Sequence, residues 1–87
     1  MAIYRIEWKR SALKDLKHID RTAIPKTLSL INSLALNPLP FGSRKLYGSE
    51  ETFRIRIGDY RVIYEANNDL LIIFIVRVRH RKKVYKP

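Results

Sequence analysis

Three arginines lie close together in the segment FRIRIGDYRVIYE, residues 53–65. Apolar and polar residues alternate on both sides of Gly58-Asp59, a pattern typical of two β-strands joined by a two-residue turn. A glycine at the first central position favours a type II′ turn, which places Arg56 directly opposite Arg61, with Arg54 on the same face. Like charges so placed weaken a sheet by tenths of a kcal/mol to about 1 kcal/mol. Guanidinium groups held side by side are suited to binding the phosphate oxygens of a polyanion.

The whole chain is strongly basic. Its 87 residues include 18 Lys and Arg against 8 Asp and Glu, which gives a net charge of +10. The last eleven residues, RVRHRKKVYKP, contain six basic residues and no acidic one. This balance favours a nucleic acid, an anionic membrane surface or an acidic protein as partner. A hydrophobic content of 46% excludes a chain that is disordered for lack of apolar residues.

Length and composition exclude several classes of protein. A chain of this size predicts a single domain over residues 1–87. It has no cysteine, which excludes disulfides, a thiolate nucleophile and a cysteine-based zinc site. The longest apolar run, Leu70–Val76, is far shorter than the stretch of about 18 residues that a membrane span requires, and no signal peptide precedes it. We therefore expect a cytoplasmic protein without a membrane partner. No cluster of acidic residues and histidines suggests a metal, and no cofactor is expected.

The order of the predicted elements defines an α+β fold. A first strand over residues 3–8 precedes a helix capped by Ser11, and a second helix begins near Pro25 and ends at Asn37-Pro38. Three strands follow at about 53–57, 60–66 and 70–79. This β-α-α-β-β-β order predicts a small antiparallel sheet with the N-terminal two-helix hairpin packed on one face.

The loop near Asn67–Asp69 decides which residues of the last strand share a face with the arginines. A two-residue turn would pair Arg61 with Phe74, whereas a three-residue loop with a bulge would pair it with Ile75. We expect the second register, because it keeps the apolar residues on a common core face. It would bring five arginines onto one concave patch, with the C-terminal residues beside it: Arg54, Arg56, Arg61, Arg77 and Arg79, approached by His80, Arg81 and Tyr85.

The segments KLYGSEETFRIRIGDYRVIYE and RHRKKVY, together with the helical N-terminal half, resemble the RelE/ParE superfamily of toxins, closest to its RelE-like branch. The resemblance covers nearly the whole chain. It implies a type II toxin–antitoxin toxin that enters the ribosomal A site and cleaves the mRNA there. It also implies a cognate antitoxin that holds the toxin inactive, by covering the basic patch or displacing the C-terminal segment.

The resemblance also assigns site residues. Arg54 and Arg56 fall where the best-known members have lysines, and Arg61 and Tyr85 match the next-strand Arg and the terminal Tyr. The late Arg matches Arg81, with Arg79 as the alternative. An arginine stays charged, so Arg54 and Arg56 suit phosphate binding better than proton transfer.

Cleavage would follow from attack of a ribose 2′-OH on the adjacent phosphorus without a metal. Arg61 and Arg81 would stabilise the transition state, and Tyr85 would orient a nucleotide. His80, the one nearby group with an ordinary pKa near neutrality, would transfer a proton. Five further basic residues would attract RNA: Arg77, Arg79, Lys82, Lys83 and Lys86. Two alternatives are a ParE-like DNA gyrase poison and a basic binding module or degenerate toxin without catalysis.

Overall fold

The structure is a computed structural model that describes residues 3–80. Two α-helices and a short 3₁₀ helix separate the first strand from the other four. In chain order the elements are β1 (Arg5–Trp8), α1 (Arg10–Leu16), the 3₁₀ helix (Arg21–Ala23), α2 (Ile24–Ser33), β2 (Arg44–Lys45), β3 (Thr52–Ile57), β4 (Tyr60–Asn67) and β5 (Ile72–His80). Within this range no helix is long and apolar enough to cross a bilayer.

The five strands form one sheet in the order β1-β5-β4-β3-β2. The predicted α+β class with two helices is confirmed, and β3 to β5 form the expected antiparallel meander, which β2 extends by one strand. The expectation of a wholly antiparallel sheet is wrong at β1, which runs parallel to β5. No hairpin connects these two strands, so no turn dictates an antiparallel direction. The two-residue strand β2 was not predicted from the sequence, because so short a segment has no visible alternation.

The core lies between the helices and one face of the sheet. The buried residues include Ala12 of α1, Ile19 after it, Ile31 of α2, Leu34 directly after that helix, and sheet residues such as Val62. Pro25 occupies the first turn of α2, as predicted. The prediction that Ser11 caps α1 is wrong, because the helix begins at Arg10, with Lys9 at the N-cap position and no side-chain cap.

The β3–β4 hairpin has the predicted register. Ile57 pairs with Tyr60 and Arg56 pairs with Arg61 across the two-residue turn. Gly58 has φ +57°, and no such positive value occurs at Asp59, as a type II′ turn requires. The predicted core face, which includes Ile55 and Val62, faces the helices.

The β4–β5 register differs from both predicted alternatives. The loop contains four residues, so Asn67 pairs with Ile72. A bulge follows: Tyr64 pairs with Ile75 and Ile63 pairs with Arg77, which leaves Val76 as the extra residue. As a result Arg61 faces Arg79 instead of Ile75 or Phe74. The buried residues of β5 also change phase, from Ile73 and Ile75 before the bulge to Val78 after it.

Candidate nucleic-acid interface

A row of three arginines crosses the three central strands of the sheet near the β3–β4 turn. Arg56 of β3 pairs with Arg61 of β4, and Arg61 pairs with Arg79 of β5. Their chain neighbours Ile55, Val62 and Val78 are buried against the helices. Because successive side chains of a strand point to opposite faces, the three arginines belong to the face away from the helices.

Two further arginines extend this row toward the edge of the sheet. Arg54 of β3 pairs with Arg44 of β2, and both side chains are exposed. Together these five residues are called the arginine face below: Arg44, Arg54, Arg56, Arg61 and Arg79. Arg44 was missed in the sequence because the strand that aligns it with Arg54 has only two residues.

An open concavity lies on the arginine face, lined by Gly42, Arg44, Arg54, Arg56 and Arg61 together with Ile55. The side chain of Arg56 is oriented by its own hairpin, because its Nε donates to the carbonyl oxygen of Gly58 at 3.1 Å. Four guanidinium groups around one concavity can each donate two parallel hydrogen bonds to phosphate oxygens. Arginine does not release its proton at neutral pH, so this arrangement supplies charge and orientation, not a general base.

Arg77 does not join this group, contrary to the prediction that it converges on the arginine patch. Its Nη2 donates to Oδ1 of Asp15 at 3.1 Å, and its Nε lies 3.1 Å from Oδ2. Oδ2 of Asp15 also accepts a hydrogen bond from the backbone N–H of Val78 at 2.9 Å. These contacts give Arg77 a structural role between β5 and α1. A role in RNA binding stays a prediction.

His80 lies on the other side of the sheet from the arginine face. It pairs with Tyr60, and the two rings meet edge to face with centroids 5.3 Å apart. The Tyr60 hydroxyl accepts from the N–H of Asp20, on the helical side. The expectation that His80 lies beside the arginines is therefore wrong. Strand β5 continues through His80, so the alternation of side chains places His80 on the opposite face from its neighbour Arg79, which pairs with Arg61.

The remaining predicted site residues, Arg81, Lys82, Lys83, Tyr85 and Lys86, lie outside the described residues. Their roles stay predictions. Among residues 3–80, no group of three or more histidine or acidic side chains is placed to hold a metal ion.

The loop that carries Gly42 is anchored to the core by Tyr64. This fully buried residue donates its phenolic hydrogen to the carbonyl oxygen of Pro38 at 2.8 Å. Burial raises the pKa of Tyr64 above its usual value of 10.0, and a hydrogen bond with the Ser43 side chain offsets only part of that effect. Tyr64 is therefore a neutral donor at physiological pH.

The same fold is found in chains of solved toxin–antitoxin complexes. A family model described as ParE toxin of type II toxin-antitoxin system, parDE, matches residues 6–85. The chain is 37% identical over 86 residues to putative toxin RelE1 of Methanocaldococcus jannaschii, covering 95% of this chain and 96% of the relative.

Solved structures agree with these matches. A chain of the archaeal RelE–RelB complex from Pyrococcus horikoshii is 30% identical, with a TM-score of 0.79 over 91% of this chain and 96% of that one. A chain of the RelBE2 toxin–antitoxin complex from Mycobacterium tuberculosis is 25% identical, with a TM-score of 0.80 over 92% and 100%. The chain belongs to the RelE/ParE superfamily, as a RelE-family toxin of a type II toxin–antitoxin system.

Proposed function

We propose that the chain is a ribosome-dependent endoribonuclease that cleaves mRNA in the A site. The observation that carries the proposal is the row Arg56–Arg61–Arg79, which crosses three paired strands on the face away from the helices. A small domain gains no stability from opposed cations on a sheet. A bound RNA phosphate would compensate their repulsion, and a reacting phosphate, which gains negative charge, would do so more strongly.

In the proposed reaction the ribose 2′-oxygen attacks the adjacent phosphorus. The bond from phosphorus to the 5′-oxygen breaks, the 2′-OH loses its proton and the leaving 5′-oxygen gains one. The products are a 2′,3′-cyclic phosphate and a 5′-OH end. Arg61, at the centre of the row, stabilises the charge on the phosphoryl oxygens, and Arg81 shares this role, as the resemblance implies. Arg54 and Arg56 orient the RNA backbone, and Arg44 extends this contact.

None of the five guanidinium groups of the arginine face transfers a proton, so their contribution is charge stabilisation and positioning. Removing one preorganised donor to a developing oxyanion typically lowers the rate by about 10²–10³. We therefore expect Arg61→Ala to reduce cleavage by that factor. Tyr85 remains the proposed residue for orienting the substrate nucleotide, and His80 is a weaker candidate for proton transfer because it faces the helical side.

We also propose a cognate antitoxin as the partner in the resting state. Two of the matched structures are complexes of a toxin with its antitoxin. A chain with a net charge of +10 favours an acidic partner, and covering the arginine face would block RNA directly. Co-purification of the toxin with the product of a small neighbouring gene tests this proposal, and the absence of any such partner would contradict it.

A second candidate, poisoning of DNA gyrase, is favoured by the ParE description of the matching family model. One experiment separates the two candidates. The toxin is induced in growing bacteria, and mRNA 5′ ends and gyrase-linked DNA breaks are mapped from the same culture. RNA cleavage predicts new ends within translated codons that disappear in Arg61→Ala and persist in Arg21→Ala, an exposed arginine of the 3₁₀ helix. DNA breaks with intact mRNA would refute the ribonuclease.

A further inference from the structure

Two β-turns flank the short strand β2, one with Phe41 at its tip and the other with Tyr47. In the first, the N–H of Ser43 donates to the carbonyl oxygen of Pro40 at 3.0 Å, and the turn has Phe41 and Gly42 at its tip. In the second, the N–H of Ser49 donates to Leu46 at 3.2 Å around the tip residues 47–48. Each central glycine has a positive φ, +96° at position 42 and +83° at position 48. Both are turns in which glycine is needed at the third position.

Each turn presents a fully exposed aromatic side chain, Phe41 or Tyr47. Scattered exposed apolar residues are common, and exposure alone carries no meaning. The two aromatics differ in their surroundings, however. Because Arg44 pairs with Arg54 in antiparallel register, the chain preceding Arg44 runs toward Arg56. Gly42 accordingly lines the arginine concavity, whereas Tyr47 lies at the opposite end of β2.

The turn at Phe41 is both anchored and open to solvent. The hydrogen bond from the buried Tyr64 to the carbonyl oxygen of Pro38 fixes the chain just before the turn. A Cβ atom built on Gly42 would meet no other atom within 4 Å, so space for a ligand exists beside the tip. An exposed aromatic ring on an anchored turn, next in the chain to a residue of a basic concavity, is suited to single-stranded nucleic acids, with phosphates on the cations and a base on the ring.

We infer that Phe41 is a stacking platform for one unpaired nucleobase of an RNA strand whose phosphates lie on the arginine face. This inference rests on the proposed RNA-directed function and adds a base contact to it. Stacking is tolerant of base identity because every base has a π-face, so Phe41 contributes affinity and position, not sequence choice. A loss of affinity of about 5- to 150-fold is the range that removing one such stacking contact produces.

The experiment uses the full chain and a short single-stranded RNA with 2-aminopurine at one central position. Stacking on an aromatic ring quenches the fluorescence of this base. We expect the unmodified chain to bind with quenching, Phe41→Ala to bind about 5- to 150-fold more weakly without it, and Phe41→Trp to restore both. Tyr47→Ala is the matched control, because it removes an equally exposed aromatic from the same kind of turn away from the arginines. It should behave as the unmodified chain.

Arg56→Ala distinguishes failure of this inference from failure of the proposed function. If Arg56→Ala weakens RNA binding and Phe41→Ala does not, the arginine face binds RNA and the stacking role is refuted. If neither variant changes the affinity, RNA does not bind at Arg56, and the proposed use of the arginine face is refuted together with the stacking role that depends on it. A Phe41→Ala chain that binds RNA normally but binds its antitoxin weakly would assign the exposed ring to a protein contact. Far-UV circular dichroism checks that each variant is folded, which the exposure of Phe41 leads us to expect.

Discussion

The bulge in β5 decides whether Arg79 joins the arginine face, and we predict that Asp15 of α1 holds this bulge in place. If the pairing of Tyr64 with Ile75 continued without the bulge, Arg61 would face Val78 and Arg79 would point to the helical side. After Ile75, β5 has no partner in β1. Helix α1 replaces that partner, because Asp15 accepts a hydrogen bond from the N–H of Val78 at 2.9 Å. Ser11 adds a hydrogen bond of 2.6 Å from its hydroxyl to the carbonyl oxygen of Val76.

The substitution Asp15→Ala should lower the free energy of unfolding by about 2–4 kcal/mol. A hydrogen bond to a charged group contributes about 1.5–3 kcal/mol, and the N–H of Val78 would lose its charged acceptor. The ion pair with Arg77 adds at most about 1 kcal/mol, because the Arg77 side chain is 31% exposed and the Asp15 side chain 12% exposed. In a chain of this length such a loss lowers the melting temperature by roughly 10–25 °C.

The measurement is urea unfolding of Asp15→Ala, Asp15→Asn and Glu7→Ala, together with hydrogen exchange of the Val78 amide. Asp15→Asn retains an oxygen that can accept from Val78 and should recover about half of the loss. Glu7→Ala is the control, because Glu7 forms an exposed ion pair with Arg5 and its loss should change stability by less than about 0.5 kcal/mol. If Asp15→Ala were no more destabilising than Glu7→Ala, or if the Val78 amide kept its protection, the proposed role of α1 would be refuted.

Three further predictions concern the sheet. Burial raises the pKa of Tyr64 above 10.0, so the stabilisation by its neutral form is complete below about pH 10 and is lost as the pH rises through the folded-state pKa. Tyr64→Phe should lower the free energy of unfolding by about 1 kcal/mol at pH 8, because the hydrogen bond to Pro38 is lost. In urea unfolding from pH 9 to 11, the free energy of unfolding of this variant should fall less steeply than that of the unmodified chain. Replacing Arg56 by Thr removes a like-charge pair with Arg61. The substitution should raise the free energy of unfolding by about 0.3–1 kcal/mol and weaken RNA binding. A lower free energy of unfolding would contradict the inference that the two arginines repel each other. Leu71 has φ +55°, a backbone conformation that favours glycine, so Leu71→Gly should stabilise the protein by up to about 1 kcal/mol. A lower melting temperature in thermal unfolding would contradict this, and would mean that the Leu71 side chain packs more strongly than its exposure indicates.

The β3–β4 hairpin was predictable because every determinant is local. Gly58-Asp59 fixes the turn type, the turn fixes the register, and the alternation of apolar residues fixes the faces. The opposition of Arg56 and Arg61 follows from these facts alone. The core face of this hairpin followed for the same reason.

The position of β5 was not predictable in the same way, because its bulge depends on tertiary contacts. Ser11 and Asp15 bind backbone groups of β5 that are more than 60 residues away in the chain. The bulge at Val76 makes Arg79 face Arg61, and because β5 continues through His80, that side chain lies on the opposite face, contrary to the expectation for His80. The position of Arg44 on this face could not be predicted, because a two-residue strand has no alternation of apolar and polar residues.

The arginine row is tolerated because each of its members is next in the chain to a core residue. Ile55 precedes Arg56, Val62 follows Arg61 and Val78 precedes Arg79, and all three apolar side chains are at most 5% exposed. Full burial of such a side chain contributes about 1.5–3 kcal/mol, whereas each of the two like-charge pairs costs at most about 1 kcal/mol.

Packing on the helical face therefore outweighs repulsion on the opposite face and holds the backbone positions of the arginines fixed. In a flexible basic segment the charged residues would separate to reduce their repulsion, and the segment would lose conformational entropy on binding a ligand. The backbone positions of a row mounted on buried strands cannot separate, so a bound polyanion would relieve the repulsion between its members without ordering the chain. A phosphate-containing ligand should consequently raise the free energy of unfolding of this chain. The increase should exceed that for a protein with the same number of basic residues in a flexible loop.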